Sequence, residues 1–590
     1  MKLILTLLSI LLIHSLRAQY IVSEDGDSLA IEEGILKVPE NRKKSESNEI
    51  KIAYQLVRSD INGSDKAIFL LAGGPGGSWL NTAHLNERFA EINIYKKYGN
   101  VVLFDQRGAG RSIPNLNCRG IINPIKLDKL SAENLADAKK ELSHECRDYW
   151  LGEGVDLSGY NTIESVNDMD QLRKELGYES IVLVGGSYGS HLGLAYMKYF
   201  PLHVDKAILH GIEGPDHSLD MPCDVFNTMR RIAEETEKAE YYRSKLGGQS
   251  LMSVYSDYID KLDSSNKDAQ EELITQFIFQ YKAGNRNNLS IWPDNLMALA
   301  NQKNKFKKNV EEHLKTVSPP HAMNKMMDHA SWVSAERLER IQADSCTKYL
   351  GDINRHFFDS REIWNSEDLG KAFRSDVNSS SPVLLINGTW DISTPIENAR
   401  EVNEALPNSR LLEVIHGSHN AYYQLIQEWS EMEDLLLGFL NGQKETVPSS
   451  VVLDIEYPMV YSEVQIEFWE AVNKGSIKNA ERTLADGAEI DLLDTRKKRT
   501  GRTALNWAAW NGDIDMIAFL LENGADINVQ NRSGFTPIHH AIENCQVEAF
   551  SFLLSKGAET SKSTRKGISP KETAKKECSK IYVLMVNAAE

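Results

Sequence analysis

A serine between small residues stands where an apolar, strand-like run gives way to a helix-like stretch. The sequence IVLVGGSYGS begins at Ile181, and Ser187 is the central residue of its G-x-S-x-G pattern. In a tight turn from a strand into a helix, glycines let the serine hydroxyl project above the sheet, and the first amides of the helix point at the same place. We therefore predict that Ser187 is a nucleophile and that the N–H of Tyr188 stabilises charge on the attacked carbonyl oxygen.

A serine hydroxyl needs a base to take its proton, and the base needs an acid to orient it. With this kind of turn the chain order is serine, acid, histidine. His416 and His419 both follow the strand-like run LLEVI, and we choose His419 because the loop needs a few residues to swing back; His416 is the alternative. Asp391, four residues beyond the run 382–387, is the predicted acid, and Asp376 is the weaker candidate.

A glycine-rich segment follows a third apolar run. GGPGG at 73–77 comes directly after AIFLLA. Glycines permit a turn that aims a backbone N–H at the carbonyl oxygen of a bound substrate. We expect the N–H of Gly74 to form an oxyanion hole together with that of Tyr188. A phosphate-binding loop is excluded here because the segment lacks the G-x-x-x-x-G-K-[ST] pattern.

The elements that hold these groups follow from the alternation of apolar runs with amphipathic stretches. Runs that are apolar throughout are typical of parallel strands covered on both faces, so we predict an α/β sheet. Residues 217–380 are polar and helix-like, which predicts a helical cap inserted into one α/β domain. The predicted strands are 50–57, 67–72, 101–105, 181–185, 206–211, 382–387 and 411–415, and the predicted helices include 165–176 and 187–200.

The end of the chain repeats itself. GRTALNWAAWNG begins at Gly501 and GFTPIHHAIENC begins at Gly534, which is a period of 33 residues. A degenerate unit begins at Phe468, and a weaker copy follows the two clear ones. The period and the T-P-I-H-x-A motif resemble ankyrin repeats. The resemblance implies an all-α array over residues 463–590 that could bind a protein partner.

Five segments of the remaining chain form a specific combination: GGPGGS (73–78), DQRGAGRS (105–112), GGSYGS (185–190), the Asp391 turn and the His419 loop. Together they resemble the prolyl aminopeptidase and tripeptidyl aminopeptidase family of α/β-hydrolases over about residues 35–440. The resemblance implies a Ser-His-Asp peptidase that often releases N-terminal residues, with a helical cap and no metal or organic cofactor. The sequence departs from the family at Ala72, where a histidine is usual.

An enzyme that acts on the N-terminus of a peptide must bind a free α-ammonium, and a carboxylate near the nucleophile would do so. Glu213 follows the predicted strand 206–211 and should therefore lie at the same sheet edge as Ser187. We name Glu213 as the ammonium-binding residue in this hypothesis, and Asp216 as the second candidate.

The beginning of the chain and its cysteines point to export. MKLILTLLSILLIHSLRAQY has the basic start, short apolar run and small residue at Ala18 of a signal peptide, cleaved before Gln19 or Tyr20. We therefore expect a periplasmic or secreted protein without membrane insertion, in a compartment that allows disulfides. Cys118 and Cys146 are the predicted pair, and no C-x-x-C pattern supports a metal site. Of the other cysteines, Cys223 and Cys346 could form a second pair, while Cys545 and Cys578 could be free.

Composition narrows the function classes. The 590-residue chain is 41% apolar and 25% charged, which is ordinary for globular domains. Its net charge of −18 argues against a nucleic-acid partner and against an anionic membrane surface. The predicted boundaries are 1–19 for the signal peptide, 20–216 and 381–442 for the hydrolase core, 217–380 for the cap, 443–462 for a linker and 463–590 for the ankyrin repeats.

The leading prediction is an exported serine peptidase of the aminopeptidase type. Two alternatives stay open at this point. One is a carboxylesterase-like hydrolase of small acyl esters, because the same fold hosts both chemistries. The other is an inactive hydrolase that serves as an ankyrin binding protein.

Overall fold

The computed structural model describes residues 19–129, 131–260, 312, 315–350, 354–455, 461–496, 501–565 and 567–587. The predicted signal peptide up to residue 18 lies outside the described residues, as does the part of the predicted cap at 261–311. The chain divides into two compact units, Met1–Glu234 with Leu251–Asp454, and Glu235–Ser250 with Ile455–Glu590. Among the described helices, none combines the length and the apolar character that crossing a membrane requires.

Ten strands form the central sheet of the first unit. They are β1 Gln19–Val22, β2 Ser28–Pro39, β3 Glu49–Val57, β4 Ala67–Leu71, β5 Asn100–Phe104, β7 Ile181–Ser187, β8 Val204–Ile212, β10 Val383–Gly388, β11 Ser409–Ile415 and β12 Ser450–Val452. Their spatial order is β1-β2-β3-β5-β4-β7-β8-β10-β11-β12. From β5 to β12 every neighbouring pair is parallel, whereas β1, β2 and β3 add an antiparallel edge. A separate pair, β6 Ile125–Lys126 and β9 Thr316–Val317, is antiparallel.

Helices cover both faces of this sheet. Along β4, Phe69 joins one buried cluster and Ile68 joins the other, so alternate residues of the strand serve two cores. The helices that precede the repeats are α1 Asn86–Tyr95, α2 Ala132–Gly152, α3 Thr162–Glu175, α4 Tyr188–Tyr199, α5 Pro222–Thr236, α6 Glu240–Leu246, α7 Leu251–Asp260, α8 Ala322–Ser331, α9 Ala335–Gln342, α10 Thr347–Leu350, α11 Arg355–Trp364, α12 Gly370–Arg374, α13 Ile396–Ala405, α14 Ala421–Glu428 and α15 Met432–Leu440. The α/β sheet with a helical insertion between β8 and β10 confirms the predicted fold class.

The edge strands are the part of the sheet that the sequence pattern did not reveal. β2 alternates buried and exposed residues, because one face of an antiparallel edge meets water. β12 lies inside the predicted linker 443–462 and pairs in parallel with β11, so part of that segment belongs to the sheet. In addition, α2 lies in the predicted core range but packs against α11 of the helical insertion.

Three disulfides link the six cysteines. Cys118–Cys146 confirms the predicted pair, and Cys223 is bonded to Cys346. The expectation that Cys545 and Cys578 could be free is wrong, because these two form the third disulfide. Their sequence separation of 33 residues equals the repeat period, so they occupy equivalent positions in neighbouring repeats that stack side by side.

The second unit contains the repeats as pairs of short helices. They are α16 Glu463–Asn473, α17 Ile477–Ala485, α18 Ala504–Asn511, α19 Ile514–Glu522, α20 Pro537–Glu543, α21 Val547–Ser555, α22 Pro570–Glu577 and α23 Ser579–Asn587. Their apolar residues share one core. In the T-P-I-H motif, the backbone N–H of Thr536 donates to Nδ1 of His539 at 3.2 Å, which closes the start of α20.

Glu91 on α1 is a fully buried carboxyl in the core of the first unit, with Arg88 Nη1 3.8 Å away. Burial raises the pKa of Glu91 from 4.5 to about 7. Between pH 4.5 and about 7, the folded protein therefore holds this proton and the unfolded chain does not. The stability that this protonation contributes is fully present below pH 4.5 and is lost as the pH rises through about 7.

The free energy of unfolding of the wild-type protein should therefore fall by about 3 kcal/mol between pH 5 and pH 8, and we expect Glu91→Gln to abolish this fall. Urea unfolding at both pH values measures this, with Glu87→Gln on the same helix as control. A Glu91→Gln protein with the wild-type pH dependence would contradict it.

Candidate active site

Ser187 occupies a strained turn between β7 and α4. Its φ of +57° and ψ of −132° lie in a region that L-residues seldom adopt. The surroundings require glycine on either side: a Cβ on Gly185 would lie 2.5 Å from the carbonyl oxygen of Gly189, and a Cβ on Gly189 would lie 2.5 Å from the carbonyl oxygen of Leu71. The G-x-S-x-G sequence is thus explained by packing, and the hydroxyl of Ser187 is held at the carboxyl end of β7.

The two predicted oxyanion donors lie beside this turn. Tyr188 is the first residue of α4, so its N–H has no acceptor within the helix. The glycine loop approaches from β4: a Cβ on Gly73 would lie 3.2 Å from Cβ of Ser187. Gly74 follows with a φ of +122°, a conformation open to glycine and strained for other residues.

Two residues of DQRGAGRS hold the glycine loop and the neighbouring chain in place. The buried Asp105 accepts hydrogen bonds from Ser78 Oγ, Leu80 N and Arg111 N. Arg107 is fully buried and makes a bidentate pair with Asp168, at 2.7 and 2.8 Å. Both side chains stabilise segments near the site, and these hydrogen bonds do not direct either of them at Ser187.

Asp391 and His419 form a tightly bonded pair. Asp391 is fully buried, and its carboxylate oxygens lie 3.0 and 3.1 Å from Nδ1 of His419. The carboxylate also accepts hydrogen bonds from the backbone N–H groups of Ser393 and Thr394, each at 2.9 Å. These bonds hold Nδ1 of the imidazole against the acid, which directs Nε2 away from it.

The position of His419 follows from the end of β8. Ser187 is paired with Ile212 across the two strands, and a Cβ on Gly211 would lie 3.1 Å from Cε1 of His419. The imidazole therefore lies against Gly211, the residue before the strand partner of Ser187. Loops after three parallel strands, β7, β10 and β11, thus bring serine, acid and histidine to one sheet edge.

The alternative candidates lie elsewhere. Nδ1 of His416 is 2.9 Å from the carbonyl oxygen of Leu453, which directs its ring toward β12 at the edge of the sheet. Asp376 is exposed and precedes β10, so it lies at the amino end of that strand, opposite to the end that carries Ser187.

The two carboxylates predicted to bind an ammonium differ in their surroundings. Glu213 directly follows β8, its side chain is 17% exposed, and Oε1 lies 4.0 Å from Nδ1 of His191. Burial lowers the pKa of His191 to about 4, so this ring is neutral and does not balance the carboxylate. Asp216 instead accepts hydrogen bonds from N and Oγ of Ser334, at 2.5 and 2.6 Å, at the start of α9. Its carboxylate is therefore engaged in joining two segments.

Comparison with known proteins fits this geometry. Residues 66–239 match the family described as alpha/beta hydrolase fold, residues 357–427 match the TAP-like protein family, and residues 468–564 match ankyrin repeats in three copies. The chain combines an α/β-hydrolase domain with ankyrin repeats. The hydrolase domain carries the site described above.

Several curated relatives are similar to part of the hydrolase domain. Tripeptidyl aminopeptidase of Streptomyces lividans is 29% identical over 191 residues, covering 31% of this chain and 35% of that protein. Serine protease Hip1 of Mycobacterium tuberculosis is 29% identical over 195 residues, covering 31% and 36%. Proline iminopeptidase of Arabidopsis thaliana is 32% identical over 145 residues, covering 25% and 26%. The chain thus spans about a third or less of the length of these relatives.

In the hydrolase domain, α8 lies over the nucleophile turn and the glycine loop. Sδ of Met327 is 3.2 Å from the hydroxyl of Tyr188, and Nδ2 of Asn324 donates to the carbonyl oxygen of Pro75 at 3.2 Å. This helix of the insertion therefore contacts both segments that carry the predicted oxyanion donors.

Asp328, on the same helix, is a carboxylate that the sequence analysis missed. Burial raises the pKa of Asp328 to about 7, which Lys325 partly offsets. Burial is also the main cause that raises the pKa of the Tyr188 hydroxyl, and the charges of Glu213 and Asp328 add to it. Two acids thus act on Tyr188, the residue that follows the predicted nucleophile. The spacing of Asn324 and Asp328, four residues apart on one face of this helix, was the available signal.

Proposed function

We propose that this chain is a serine peptidase that removes residues from the N-termini of peptides. The observation that carries the proposal is the contact between the buried carboxylate of Asp391 and Nδ1 of His419, beside the strained turn of Ser187. The relatives named tripeptidyl aminopeptidase, serine protease and proline iminopeptidase support the same class of reaction.

The proposed mechanism assigns one task to each group. Oγ of Ser187 attacks the amide carbonyl carbon while Nε2 of His419 takes its proton, and Asp391 stabilises the resulting imidazolium. The carbonyl oxygen becomes negative and accepts hydrogen bonds from the N–H groups of Gly74 and Tyr188. His419 then donates its proton to the leaving amine, and water, deprotonated by the same histidine, hydrolyses the acyl-enzyme.

Recognition of a free amino terminus is assigned to Glu213. The charge of this carboxylate acts on Tyr188, so an α-ammonium near the scissile bond would meet negative charge there. Glu213 stands immediately after the residue that pairs with Ser187, which places it within one residue of the nucleophile's strand partner. The charge complementarity favours a peptide with an unblocked N-terminus over one that is acylated.

We expect Glu213→Gln to raise KM for an aminoacyl p-nitroanilide with a free amino group by roughly 10- to 100-fold, with little change in kcat, because a charged partner of the ammonium is lost. Steady-state kinetics with free and N-acetylated versions of one substrate measure the effect. Asp216→Asn is the matched control and should leave KM unchanged, since its carboxylate is bonded to Ser334. An unchanged KM in Glu213→Gln would refute this role.

The function itself is tested with purified residues 20–590 and a panel of aminoacyl and tripeptidyl p-nitroanilides, alongside simple esters. Amide cleavage that requires a free amino terminus supports the proposal and ranks the preferred residue. Turnover of esters alone would replace it with the esterase alternative. Inactivity on both classes would leave the ankyrin repeats as the functional part.

We also propose that the protein works after export and that its repeats bind a protein partner. Three disulfides are stable in an oxidising compartment and rare in a reducing one. Stacked ankyrin helices present an extended surface of side chains to other proteins. Mass spectrometry of the protein recovered from its native host tests cleavage before Gln19 or Tyr20.

A further inference from the structure

His321 is the residue before α8, and its ring lies against the glycine loop. A Cβ on Gly76 would lie 3.4 Å from both Cδ2 and Nε2 of this ring. Gly76 belongs to the same tight loop as Gly73, where a Cβ would lie 3.2 Å from Cβ of Ser187. The imidazole is therefore a wall of the space above the loop that carries the proposed oxyanion donor.

The chain around His321 is firmly held. Its backbone forms a bridge with Asn117, and the next residue, Ala322, donates its N–H to the carbonyl oxygen of Leu116 at 2.9 Å. One residue further back, the carbonyl oxygen of Pro320 accepts a hydrogen bond from the N–H of Cys118, a disulfide cysteine. A ring mounted on such a backbone keeps its place, which is what a binding residue requires.

The two ring nitrogens of His321 have different surroundings. Nδ1 is buried and has no hydrogen-bond partner among the described residues. A buried N–H without an acceptor is costly, so the proton belongs on Nε2, the nitrogen beside Gly76. Burial, aided by the charge of Arg119, lowers the pKa of His321 to about 4, so the ring stays neutral at neutral pH. It can thus donate one hydrogen bond from Nε2 without introducing a charge.

The geometry points to His321 as a substrate-binding residue whose Nε2 donates a hydrogen bond to a peptide carbonyl of the substrate next to the scissile bond. This inference rests on the proposed peptidase function. The acceptor is a backbone carbonyl, because the glycine loop, which carries the proposed oxyanion donor, must lie along the substrate's main chain. That carbonyl can belong to the acyl part or to the leaving peptide, and the substrates below distinguish the two.

The test compares three substitutions. His321→Phe keeps the ring shape but removes both nitrogens, His321→Gln places an amide N–H near the position of Nε2, and His321→Asn places one near Nδ1. We expect kcat/KM for peptide substrates to fall about tenfold in the Phe and Asn variants and to stay within about threefold of wild type in the Gln variant. The ratio of kcat/KM between each variant and the wild type should not change between pH 6 and pH 9, since the His321 ring is neutral throughout that range.

Two kinds of substrate locate the bond. A tripeptidyl p-nitroanilide offers peptide carbonyls on the acyl side alone, and a longer peptide offers them on both sides. If kcat/KM falls with both substrates, the hydrogen bond is made to a carbonyl of the acyl part. If kcat/KM falls with the longer peptide alone, the bond is made to a carbonyl of the leaving peptide. The rate at which phenylmethylsulfonyl fluoride modifies Ser187 should not change in any variant, which separates lost binding from a damaged catalytic centre.

The inference is overturned if His321→Phe keeps wild-type kcat/KM on both substrates. It is also overturned if kcat/KM falls as much in His321→Gln as in His321→Phe while the sulfonylation rate is unchanged. If His321→Phe does not fold, the comparison of Gln with Asn decides the question alone. A wild-type protein without amide activity would instead refute the proposed function, so the two failures are distinguishable.

Discussion

Ser187→Ala should lower kcat/KM for amide hydrolysis about a million-fold, because the proposed covalent step then has no nucleophile. The substitution should have little effect on folding. Alanine and serine meet the same strain at a φ of +57°, and neither neighbouring glycine is altered. Stopped assays with a tripeptidyl p-nitroanilide, together with labelling of the active serine by a fluorophosphonate probe, measure the loss.

Ser187→Gly serves as the companion variant. Glycine also removes the hydroxyl but relieves the positive φ, so we expect equal inactivity with a higher unfolding temperature. Such a result would show that the turn stores strain for the sake of the hydroxyl. Residual activity of Ser187→Ala within about a hundredfold of wild type would contradict the assignment of the nucleophile.

Asp391→Asn should lower kcat about 10,000-fold while leaving KM nearly unchanged. The asparagine oxygen can still accept the N–H groups of Ser393 and Thr394, so its amide NH2 would face Nδ1 of His419. An imidazole that accepts at Nδ1 must carry its proton on Nε2, where it cannot take a proton from the serine. Steady-state kinetics with one tripeptidyl substrate measure the effect.

The chain offers a matched control for this variant. Asp376 was the other candidate acid, and Asp376→Asn should retain wild-type kinetics because this exposed residue lies at the amino end of β10. Equal losses in both variants would indicate a general effect of removing acidic groups. Normal kcat in Asp391→Asn would remove Asp391 from the mechanism.

One helix of the insertion, α8, contacts both segments that carry the proposed oxyanion donors. Its Met327 lies against the hydroxyl of Tyr188, and its Asn324 donates a hydrogen bond to the carbonyl oxygen of Pro75. The disulfide Cys118–Cys146 anchors the chain next to Asn117, whose backbone forms a bridge with His321 at the start of this helix. In the proposed mechanism, substitutions in α8 should therefore alter both substrate preference and stabilisation of the oxyanion.

Much of the fold and of the site follows from local sequence. Strands buried on both faces are apolar at every position, so β4, β5, β7 and β10 were predicted within a few residues of their observed bounds. The turn of Ser187 is encoded by its own glycines, since their packing leaves no room for a Cβ. The period of 33 residues indicates the repeats. Each of these features depends on residues close together in the chain.

The tertiary structure decided the contacts between segments that are distant in sequence. It brought Nδ1 of His419 to the carboxylate of Asp391 and Nδ1 of His416 to the carbonyl oxygen of Leu453, because the bonding partner of each ring depends on where two separate loops end. It paired Cys545 with Cys578, engaged Asp216 with Ser334, brought Asp328 near Tyr188 and placed the ring of His321 against Gly76. Local patterns encode the conformation of a segment, whereas the neighbours of a side chain are set by how segments distant in the chain fold against one another.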